Sequence, residues 1–416
     1  MKAEIITIGD ELLIGQVINT NASYIGKKLS ETGISVARIV SVGDSEKDII
    51  DELKYAFENF DVVILTGGLG PTHDDVTKSA ICKFFNTGLV LNEDVLNQVK
   101  EFLAKRGRTE LNEANKSQAL VPEKAKIIMN YWGTAPGFLF EENGKIVIVM
   151  PGVPKEMMGM MENFVINYLS KKSTGSVIKQ KVLKTTGIPE AYLYERLKDT
   201  VEEIEKFCKI AFLPSALGVK IRITVKAETK EKADALVEEA EKKIREKVEK
   251  YIYGVDDEEL EMVIGELLVE KGLKIAVAES CTGGLIADRI TNVPGSSKYF
   301  ERGIVAYSNE AKIQILGVSE ELIKNYGAVS REVAEAMAEG VRKISGADIG
   351  ISTTGIAGPT GATPTKPVGL VWIGYSDKNE TFAKEFRFGD DRLENKQRAS
   401  QMALEILRRK LLGIEI

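Results

Sequence analysis

The sequence holds a serine in a setting that suits acyl transfer. Ser280 lies in the segment AESCTGGL, directly after the apolar run KIAV and at the predicted start of a helix. The main-chain amides of Cys281 and Thr282, with the flexible Gly283 behind them, are then placed to stabilise the oxyanion that forms when a hydroxyl attacks a carbonyl. This pattern predicts a serine nucleophile.

The base for such a serine has to be something other than histidine. The only histidine of the chain is His73, far from this segment, whereas RGIVAYSNEAK supplies Tyr307 and Lys312 just after another apolar strand. Free lysine has a pKa of about 10.4 and a useful base needs roughly 7–8, so the site must desolvate Lys312 or place another cation beside it. Arg392, in FGDDR, is either that cation or a contact for a substrate phosphate.

Further polar contacts come from the loop TTGIAGPTGATPTKPVG, where Thr354 and Gly355 follow an apolar strand. Each assignment has a structural alternative. Ser280 could be a helix N-cap and Lys312 a solvated lysine. Cys281 could be a small buried hydrophobic residue, or the nucleophile in place of the serine.

A second cluster follows the apolar strand DVVIL, in the run TGGLGPTHDD. Gly67, Gly68 and Gly70 allow a close backbone approach to a phosphate, and ligands of α/β sheets bind at the carboxyl ends of strands. Asp74 and Asp75 would repel that anion unless a divalent cation lies between them. The run therefore predicts a phosphate or pyrophosphate site with a metal ion.

Other predicted strand ends carry polar residues that could line the same crevice. They are Asp10, Glu11, Asn19, Asn21, Asp44 and Glu156. The alternative is that the acidic residues only cap helices. His73 is either a base or phosphate donor, or a residue with a structural hydrogen bond.

The elements that position the second cluster alternate between strand and helix. Strands are predicted at 3–8, 36–42, 61–65 and 146–150, and helices at 22–32, 46–58, 74–86, 93–105 and 156–170. This alternation predicts an α/β domain with a doubly wound parallel sheet over residues 1–170.

Two further domains follow a small polar linker at 170–176. Strands at 177–186, 208–213 and 218–227 and helices at 189–203 and 229–252 predict a small α+β module over 176–253. It has no GxxG loop for clamping a nucleic-acid backbone, so a spacer or dimerisation role is expected. Helix 257–272 and strand 274–278 then open a third, α/β domain at 254–416.

Composition limits the possible functions. The net charge is −6, basic and acidic residues are interleaved, and no apolar run is long enough for a membrane span, which argues against nucleic acid and membranes as partners. Three separated cysteines and the absence of a signal-peptide pattern predict a cytoplasmic protein. A single histidine excludes HExxH zinc sites. We expect a homodimer.

Several segments together resemble one known family. GDELLIGQVINTNA, TGGLGPTHDDVT, MPGVPKEM, ESCTGG, YSNEAK, TGIAGPTG and KPVG look like the signature segments of the CinA (competence/damage-inducible protein) family. The segment TGIPEAYL departs from the family, which more often has a small polar pair after TGI. The resemblance covers nearly the whole chain.

For the N-terminal domain, the resemblance implies a molybdopterin-binding-like fold and metal-dependent hydrolysis of ADP-ribose to AMP and ribose 5-phosphate. The implied ADP-ribose contacts are Gly67, Gly68, Gly70, Thr72, Asn19, Asn21 and Asp44. The implied ligands of Mg²⁺, Mn²⁺ or Co²⁺ are Asp10, Asp74, Asp75 and Glu156.

For the C-terminal domain, the resemblance implies a nicotinamide-nucleotide amidase that converts NMN and water to nicotinate mononucleotide and ammonia without a metal. Ser280 would be the nucleophile, Lys312 the general base and Tyr307 an assisting group. The implied substrate contacts are Cys281, Thr282, Gly283, Thr354, Gly355 and Arg392. Two alternatives remain: a non-catalytic protein that senses nucleotides in competence or DNA damage, and a molybdopterin-binding enzyme.

Overall fold

The computed structural model describes residues 1–70, 72, 75–108, 110–172 and 177–416. The chain forms two compact units, one of residues 1–179 with 225–235 and the other of 180–224 with 236–416. Both are built from helices packed on mixed sheets, so the predicted α/β class is confirmed. No helix within the described ranges is long and apolar enough to cross a bilayer.

The N-terminal domain is built on one large sheet. Its elements are β1 (Lys2–Ile8), α1 (Asp10–Leu13), α2 (Thr20–Glu31), β2 (Ser35–Val42), α3 (Glu46–Asn59), β3 (Val62–Thr66), α4 (Thr77–Phe84), β4 (Leu89–Leu91), α5 (Glu93–Ala104), α6 (Glu113–Ser117), β5 (Leu120–Pro122), β6 (Lys126–Ile128), β7 (Gly137–Glu142), β8 (Lys145–Met150), α7 (Pro154–Met160), a π-helical turn (Met161–Val165) and α8 (Ile166–Lys172). The sheet order is β2-β1-β3-β8-β7-β6, and β4 pairs with β5 in a separate ribbon.

The inner parallel strands β1, β3 and β8 are buried on both sides because helices cover both faces of the sheet. One core joins β3 and β8 to α3, α4 and α5, and the other joins β1 and β8 to α2, α7 and α8. Strands β2, β1, β3 and β8 are parallel as predicted, and at one edge β7 runs antiparallel to both β8 and β6, which the sequence analysis did not predict. Strand β6 is only three residues long, so its alternation was weak in the sequence.

The middle module has a four-stranded sheet in the order β10-β11-β9-β12. Its elements are β9 (Val177–Thr185), α9 (Glu190–Ile204), β10 (Cys208–Ser215), β11 (Gly218–Ala227), α10 (Lys230–Val248), a 3₁₀ turn (Glu249–Tyr251) and β12 (Ile252–Val255). The predicted helix 229–252 therefore ends four residues early. The last predicted turn instead leads into β12, which pairs antiparallel with β9.

The C-terminal domain repeats the layered plan. Its elements are α11 (Leu260–Lys271), β13 (Ile275–Glu279), α12 (Leu285–Thr291), a 3₁₀ turn (Ser296–Lys298), β14 (Phe300–Val305), α13 (Asn309–Leu316), α14 (Glu320–Tyr326), α15 (Arg331–Ser345), β15 (Ile349–Gly355), β16 (Leu370–Ser376), β17 (Thr381–Arg387) and α16 (Arg392–Leu412). The sheet order is β14-β13-β15-β16-β17, with β13, β14 and β15 parallel.

Both large sheets have a point where consecutive connections leave a strand towards opposite sides. Strand β1 lies between β2 and β3, and strand β13 lies between β14 and β15. At such a switch point the loops at the carboxyl ends diverge and leave a crevice, which is the usual ligand site of open α/β sheets. The two predicted sites fall at these two points.

Candidate functional site

Ser280 and Lys312 meet at the switch point of the C-terminal sheet. Ser280 follows β13 directly, and its N–H donates to the carbonyl of Thr353 on β15 at 3.0 Å. Its Oγ lies 3.1 Å from Nζ of Lys312. The serine and the lysine are 8% and 1% exposed, so the predicted nucleophile and base form a buried pair.

Two main-chain carbonyls fix the orientation of the Lys312 amine. Lys312 lies on α13, whose N-terminus is capped by Ser308, and its Nζ donates to the carbonyl of Ala306 at 2.9 Å and of Tyr307 at 3.1 Å. With Ser280 Oγ, these oxygens account for the three hydrogens of an ammonium. Once one proton is lost, the two carbonyls retain the two N–H groups and the lone pair is left facing Ser280 Oγ.

Burial favours the neutral form of this amine. Desolvation lowers the pKa of Lys312 below its ordinary value, and the nearby Cys281 opposes the shift. The sequence suggested two ways of lowering the lysine pKa, desolvation or a neighbouring cation, and the structure shows desolvation. Arg392 instead donates to the carbonyl of Gly358 at 2.7 Å and to the hydroxyl of Tyr307 at 3.1 Å.

The turn after Ser280 is formed by glycine and by a buried glutamate. Gly283 and Gly284 have φ values of 62° and 96°, so α12 begins only at Leu285. The carboxylate of Glu279 accepts the N–H groups of Gly284 at 3.0 Å, Ile286 at 3.1 Å and Ala287 at 2.9 Å. The N-cap alternative for Ser280 is therefore wrong. The free N–H groups at the start of α12 donate to the Glu279 carboxylate, and the Ser280 hydroxyl contacts Lys312 instead.

The amides predicted to stabilise an oxyanion are available. Within the described part of the chain, the N–H groups of Cys281 and Thr282 donate to no main-chain carbonyl, and the N–H of Cys281 contacts its own sulfur. The hydroxyl groups of Thr282 and Thr353, 2.7 Å apart, tie this turn to β15. The turn thus presents two N–H donors that are not engaged by main-chain carbonyls on the residues that follow the nucleophile.

The thiol of Cys281 is a poor competitor for the nucleophile. Cys281 is 6% exposed, and burial raises its pKa to about 12. A thiol with that pKa carries almost no thiolate at neutral pH. Its packing within the apolar core of the domain matches the structural alternative instead.

The other predicted contacts surround the same pair. Tyr307 is 61% exposed, and its hydroxyl accepts from Arg392. Thr354 is buried, and its hydroxyl donates to the carbonyl of Ala328 at 2.7 Å, with Gly355 next to it at the end of β15. Their contacts with a substrate stay predictions.

Glu279 and the carbonyl of Ala306 were missed by sequence reasoning. An acid at the end of an apolar strand, directly before a serine and two glycines, was the available signal for Glu279. The sequence contains no signal for the Ala306 carbonyl, because its contact with Lys312 depends on the direction in which the side chains of α13 point.

Replacing Glu279 with glutamine tests the role of this carboxylate in holding the turn. The amide offers one acceptor oxygen and turns an NH₂ group towards three main-chain donors. We expect the variant to lose about 2 kcal/mol of unfolding free energy, as for other buried groups left without a partner. Urea denaturation followed by circular dichroism measures this change. An unchanged midpoint would show that the carboxylate does not hold the turn.

The glycine-rich run at the carboxyl end of β3 has a backbone that excludes side chains. Gly67 and Gly68 have φ values of 120° and 64°. A Cβ on Gly67 would lie 2.2 Å from the carbonyl oxygen of Ile8, and one on Gly68 would lie 2.2 Å from Oγ1 of Thr77. The glycines are required by packing between strand ends, which leaves their predicted phosphate contact untested.

A cavity of about 740 Å³ opens beside this turn. Gly70, Thr72 and Asp75 line it, together with Lys78 and Lys83. Asp75 accepts the N–H of Thr72 at 2.9 Å and also its hydroxyl. Burial lowers the pKa of Lys78, whose Nζ donates to the carbonyl of Ser117 at 3.0 Å. Lys83 pairs with Glu46, so the charged groups at this cavity are basic and acidic in turn.

The predicted residues near the end of β1 lie around a smaller cavity. Asn19 and Asn21 line it, with a volume of about 100 Å³. Asn19 donates to Oγ1 of Thr7 at 2.9 Å, and Asn21 donates to the carbonyl of Gly152 at 2.7 Å. Asp10 and Asp44 accept each other's main-chain N–H groups at 3.2 and 3.0 Å, which places two carboxylates side by side.

The predicted metal ligands are only partly brought together. Glu156 accepts from Nδ2 of Asn130 at 2.6 Å, and burial raises its pKa, which is opposite to the effect of a bound cation. Asp74 and His73 lie outside the described residues. Among the residues that are described, no group of three or more acidic, histidine or cysteine side chains could hold a metal ion. The metal site stays a prediction.

Three family models match successive parts of the chain. Residues 4–171 match the probable molybdopterin binding domain, residues 180–254 the damage-inducible protein CinA KH domain, and residues 257–411 the CinA C-terminal domain. Residues 180–254 match the KH-domain model although this module lacks the GxxG loop that clamps a nucleic-acid backbone. The predicted domain boundaries stay predictions.

Full-length relatives are similar to this chain from end to end. A putative competence-damage inducible protein of Caldicellulosiruptor saccharolyticus is 48% identical over 99% of this chain and 100% of its own length. A CinA-like protein of Kosmotoga olearia is 48% identical over 100% of both chains. The crystal structure of competence/damage inducible protein CihA from Agrobacterium tumefaciens is 42% identical over 37% of this chain and 93% of that chain, with a TM-score of 0.36.

Proposed function

Because the chain belongs to the CinA family of competence/damage-inducible proteins, we propose that its C-terminal domain hydrolyses the carboxamide of NMN to nicotinate mononucleotide and ammonia. The observation that carries this proposal is the buried contact between Ser280 Oγ and Lys312 Nζ at 3.1 Å. A serine hydroxyl held against a desolvated amine is an activated nucleophile, and amide hydrolysis by acyl transfer needs no other cofactor.

In the first half of the reaction, Ser280 Oγ attacks the carboxamide carbon while the Lys312 amine takes the hydroxyl proton. The negative charge on the carboxamide oxygen is stabilised by the N–H groups of Cys281 and Thr282, neither of which donates to a main-chain carbonyl within the described residues. The Lys312 ammonium then gives its proton to the departing nitrogen. Ammonia leaves, and an ester joins Ser280 to the nicotinoyl group.

In the second half of the reaction, a water molecule takes the place of the ammonia that has left. Lys312, again neutral, takes a proton from water as its oxygen attacks the ester carbon, and returns the proton to Ser280 Oγ when the ester breaks. The carbonyls of Ala306 and Tyr307 hold the amine in place through both steps. The test is incubation of the full chain with NMN and measurement of both products. If neither product appears with NMN, the alternative of a non-catalytic nucleotide sensor is favoured.

For the N-terminal domain we propose hydrolysis of the pyrophosphate of ADP-ribose to AMP and ribose 5-phosphate. The observation in its favour is the cavity of about 740 Å³ that joins the glycine-rich turn to Lys78 and Lys83. A nucleotide fits such a volume, and the Lys78 amine is a donor for its phosphates, whereas Lys83 is already paired with Glu46. The molybdopterin-binding alternative shares the same domain type, so it is separated by assay of both ligands.

The proposed metal dependence leads to a prediction that separates the two activities. EDTA is expected to abolish release of AMP from ADP-ribose and to leave release of ammonia from NMN unchanged, since only the first reaction needs a divalent cation to offset the substrate charge. Adding Mg²⁺, Mn²⁺ or Co²⁺ in excess should restore AMP formation. Loss of both activities in EDTA would refute the assignment of the metal to the N-terminal domain alone.

A further inference from the structure

A cavity of about 540 Å³ lies where the middle module meets the C-terminal domain, within the second compact unit. One wall is formed by residues 186–190 and 214–219 of the middle module, and the other by Phe386, Phe388 and the helix α16. Its volume is that of a small-molecule site, and such sites are common where two domains meet. Among the described residues, none that is proposed for either hydrolytic reaction lines this cavity.

Gln401 on α16 brings an unpaired hydrogen-bond donor to this cavity. The residue is 2% exposed, and its Oε1 accepts from Nη2 of Arg289 at 2.9 Å. Its Nε2 has no hydrogen-bond partner within the described part of the chain. Because a guanidinium only donates, Arg289 fixes the oxygen end of the amide and leaves the nitrogen for another acceptor. A buried donor without an acceptor is unfavourable, so a ligand that supplies one would be bound selectively.

Two aromatic rings give the cavity a flat, apolar wall. The rings of Phe386 and Phe388 are nearly parallel, with centroids 5.9 Å apart and 11° between their planes. Both side chains are only half-buried, and Met402 lines the cavity beside them. Surfaces of this kind bind planar aromatic molecules by offset stacking.

The charged groups at the cavity favour a ligand without a phosphate. Arg398 is the only lysine or arginine among the lining residues that the structure describes, and it pairs with Glu394. Glu190, on the opposite wall, is exposed and would repel an anion. A carboxylate is instead a common acceptor for the hydroxyl groups of a ribose.

We propose that this cavity binds an uncharged nucleoside whose base carries a carbonyl oxygen. The base stacks on Phe386 and Phe388, its carbonyl accepts from Nε2 of Gln401, and the ribose lies towards Glu190. A cavity of about 540 Å³ accommodates a base together with its sugar. The site is separate from both proposed reactions, whose substrates carry phosphate.

Calorimetry on the full chain tests the ligand class with inosine and purine riboside, which differ in the carbonyl oxygen of the base. We expect inosine to bind about 10-fold more tightly than purine riboside, as for one hydrogen bond from a buried donor. Inosine 5′-monophosphate is expected to bind no more tightly than inosine, because the arginine at the cavity is already paired.

Two variants locate the binding. Gln401→Glu keeps an oxygen for Arg289 and removes the donor, so we expect inosine affinity to fall about 10-fold or more and purine riboside affinity to change by less than about 3-fold. Phe386→Leu should weaken both nucleosides about 3- to 10-fold through lost stacking. Phe382→Leu is the matched control, because Phe382 lies on the same strand and stacks on Tyr375 outside the cavity.

Circular dichroism of each variant serves as the control for folding. Absence of inosine binding to the wild-type chain, or unchanged binding in a folded Gln401→Glu variant, would overturn the proposal. An equal loss in Phe386→Leu and Phe382→Leu would do the same, as would inosine 5′-monophosphate binding more than about 10-fold tighter than inosine. None of these outcomes depends on release of ammonia or AMP, so the site and the proposed hydrolytic activities are tested separately.

Discussion

Ser280→Ala is expected to abolish the release of ammonia from NMN, with a loss in kcat on the order of 10⁴-fold or more, because no other group near the site can form the acyl intermediate. Binding of NMN should stay within about 3-fold of wild type, since the hydroxyl acts in the chemical step and its removal leaves the rest of the site in place. Ammonia release, followed by a coupled assay, and calorimetric binding of NMN measure the two effects.

The matched control for this variant is Cys281→Ala. Burial raises the pKa of the Cys281 thiol to about 12, so at neutral pH it is a packed, protonated side chain. We expect Cys281→Ala to retain ammonia release within about 5-fold and to lose some stability through the cavity left in the core. Activity that survives in Ser280→Ala but disappears in Cys281→Ala would assign the nucleophile to the thiol.

Lys312→Met is expected to have the second largest effect, a loss in kcat of about 10³- to 10⁴-fold, because the methionine side chain cannot accept the serine proton. Lys312→Arg should be no better, since a guanidinium stays protonated and cannot act as a base. Circular dichroism of both variants serves as the control for folding. Retained activity in either variant would exclude Lys312 as the base.

The wild-type pH profile tests the same residue without a substitution. Burial lowers the pKa of Lys312, and only the neutral amine accepts a proton. The rate should therefore be low at acidic pH and rise as pH increases through the lowered pKa, reaching its plateau below the ordinary lysine value. The folded-state pKa lies below the unfolded one, so protonation of Lys312 also disfavours the folded state as pH falls through this window. A rise located at the ordinary lysine pKa would contradict desolvation of the amine.

Much of the fold followed from apolar runs, and the failures have local causes. The buried and mostly apolar strands β1, β3, β8 and β13 were predicted because apolar residues fill both of their faces. The predicted helix 229–252 ran past the end of α10 because no proline or glycine separates α10 from β12, and β12 itself was not predicted. Its pairing with β9, which lies far away in the sequence, decides its conformation.

The candidate site was predictable in its members and less so in its geometry. Serine, lysine and the following amides were identified from residue type and position after strands. The helix start was placed at Ser280 because a serine before a small-residue run is a common cap, yet the positive φ of Gly283 and Gly284 delays the helix to Leu285.

The acyl-enzyme is the most direct test of the central claim. The full chain is mixed with NMN, quenched in acid within the first turnovers, digested and analysed by mass spectrometry. We predict that the peptide containing AESCTGGL carries a nicotinoyl ribotide ester on Ser280, and that hydroxylamine removes it. Ammonia release with no adduct on this peptide, or an adduct on Cys281, would contradict the serine–lysine account.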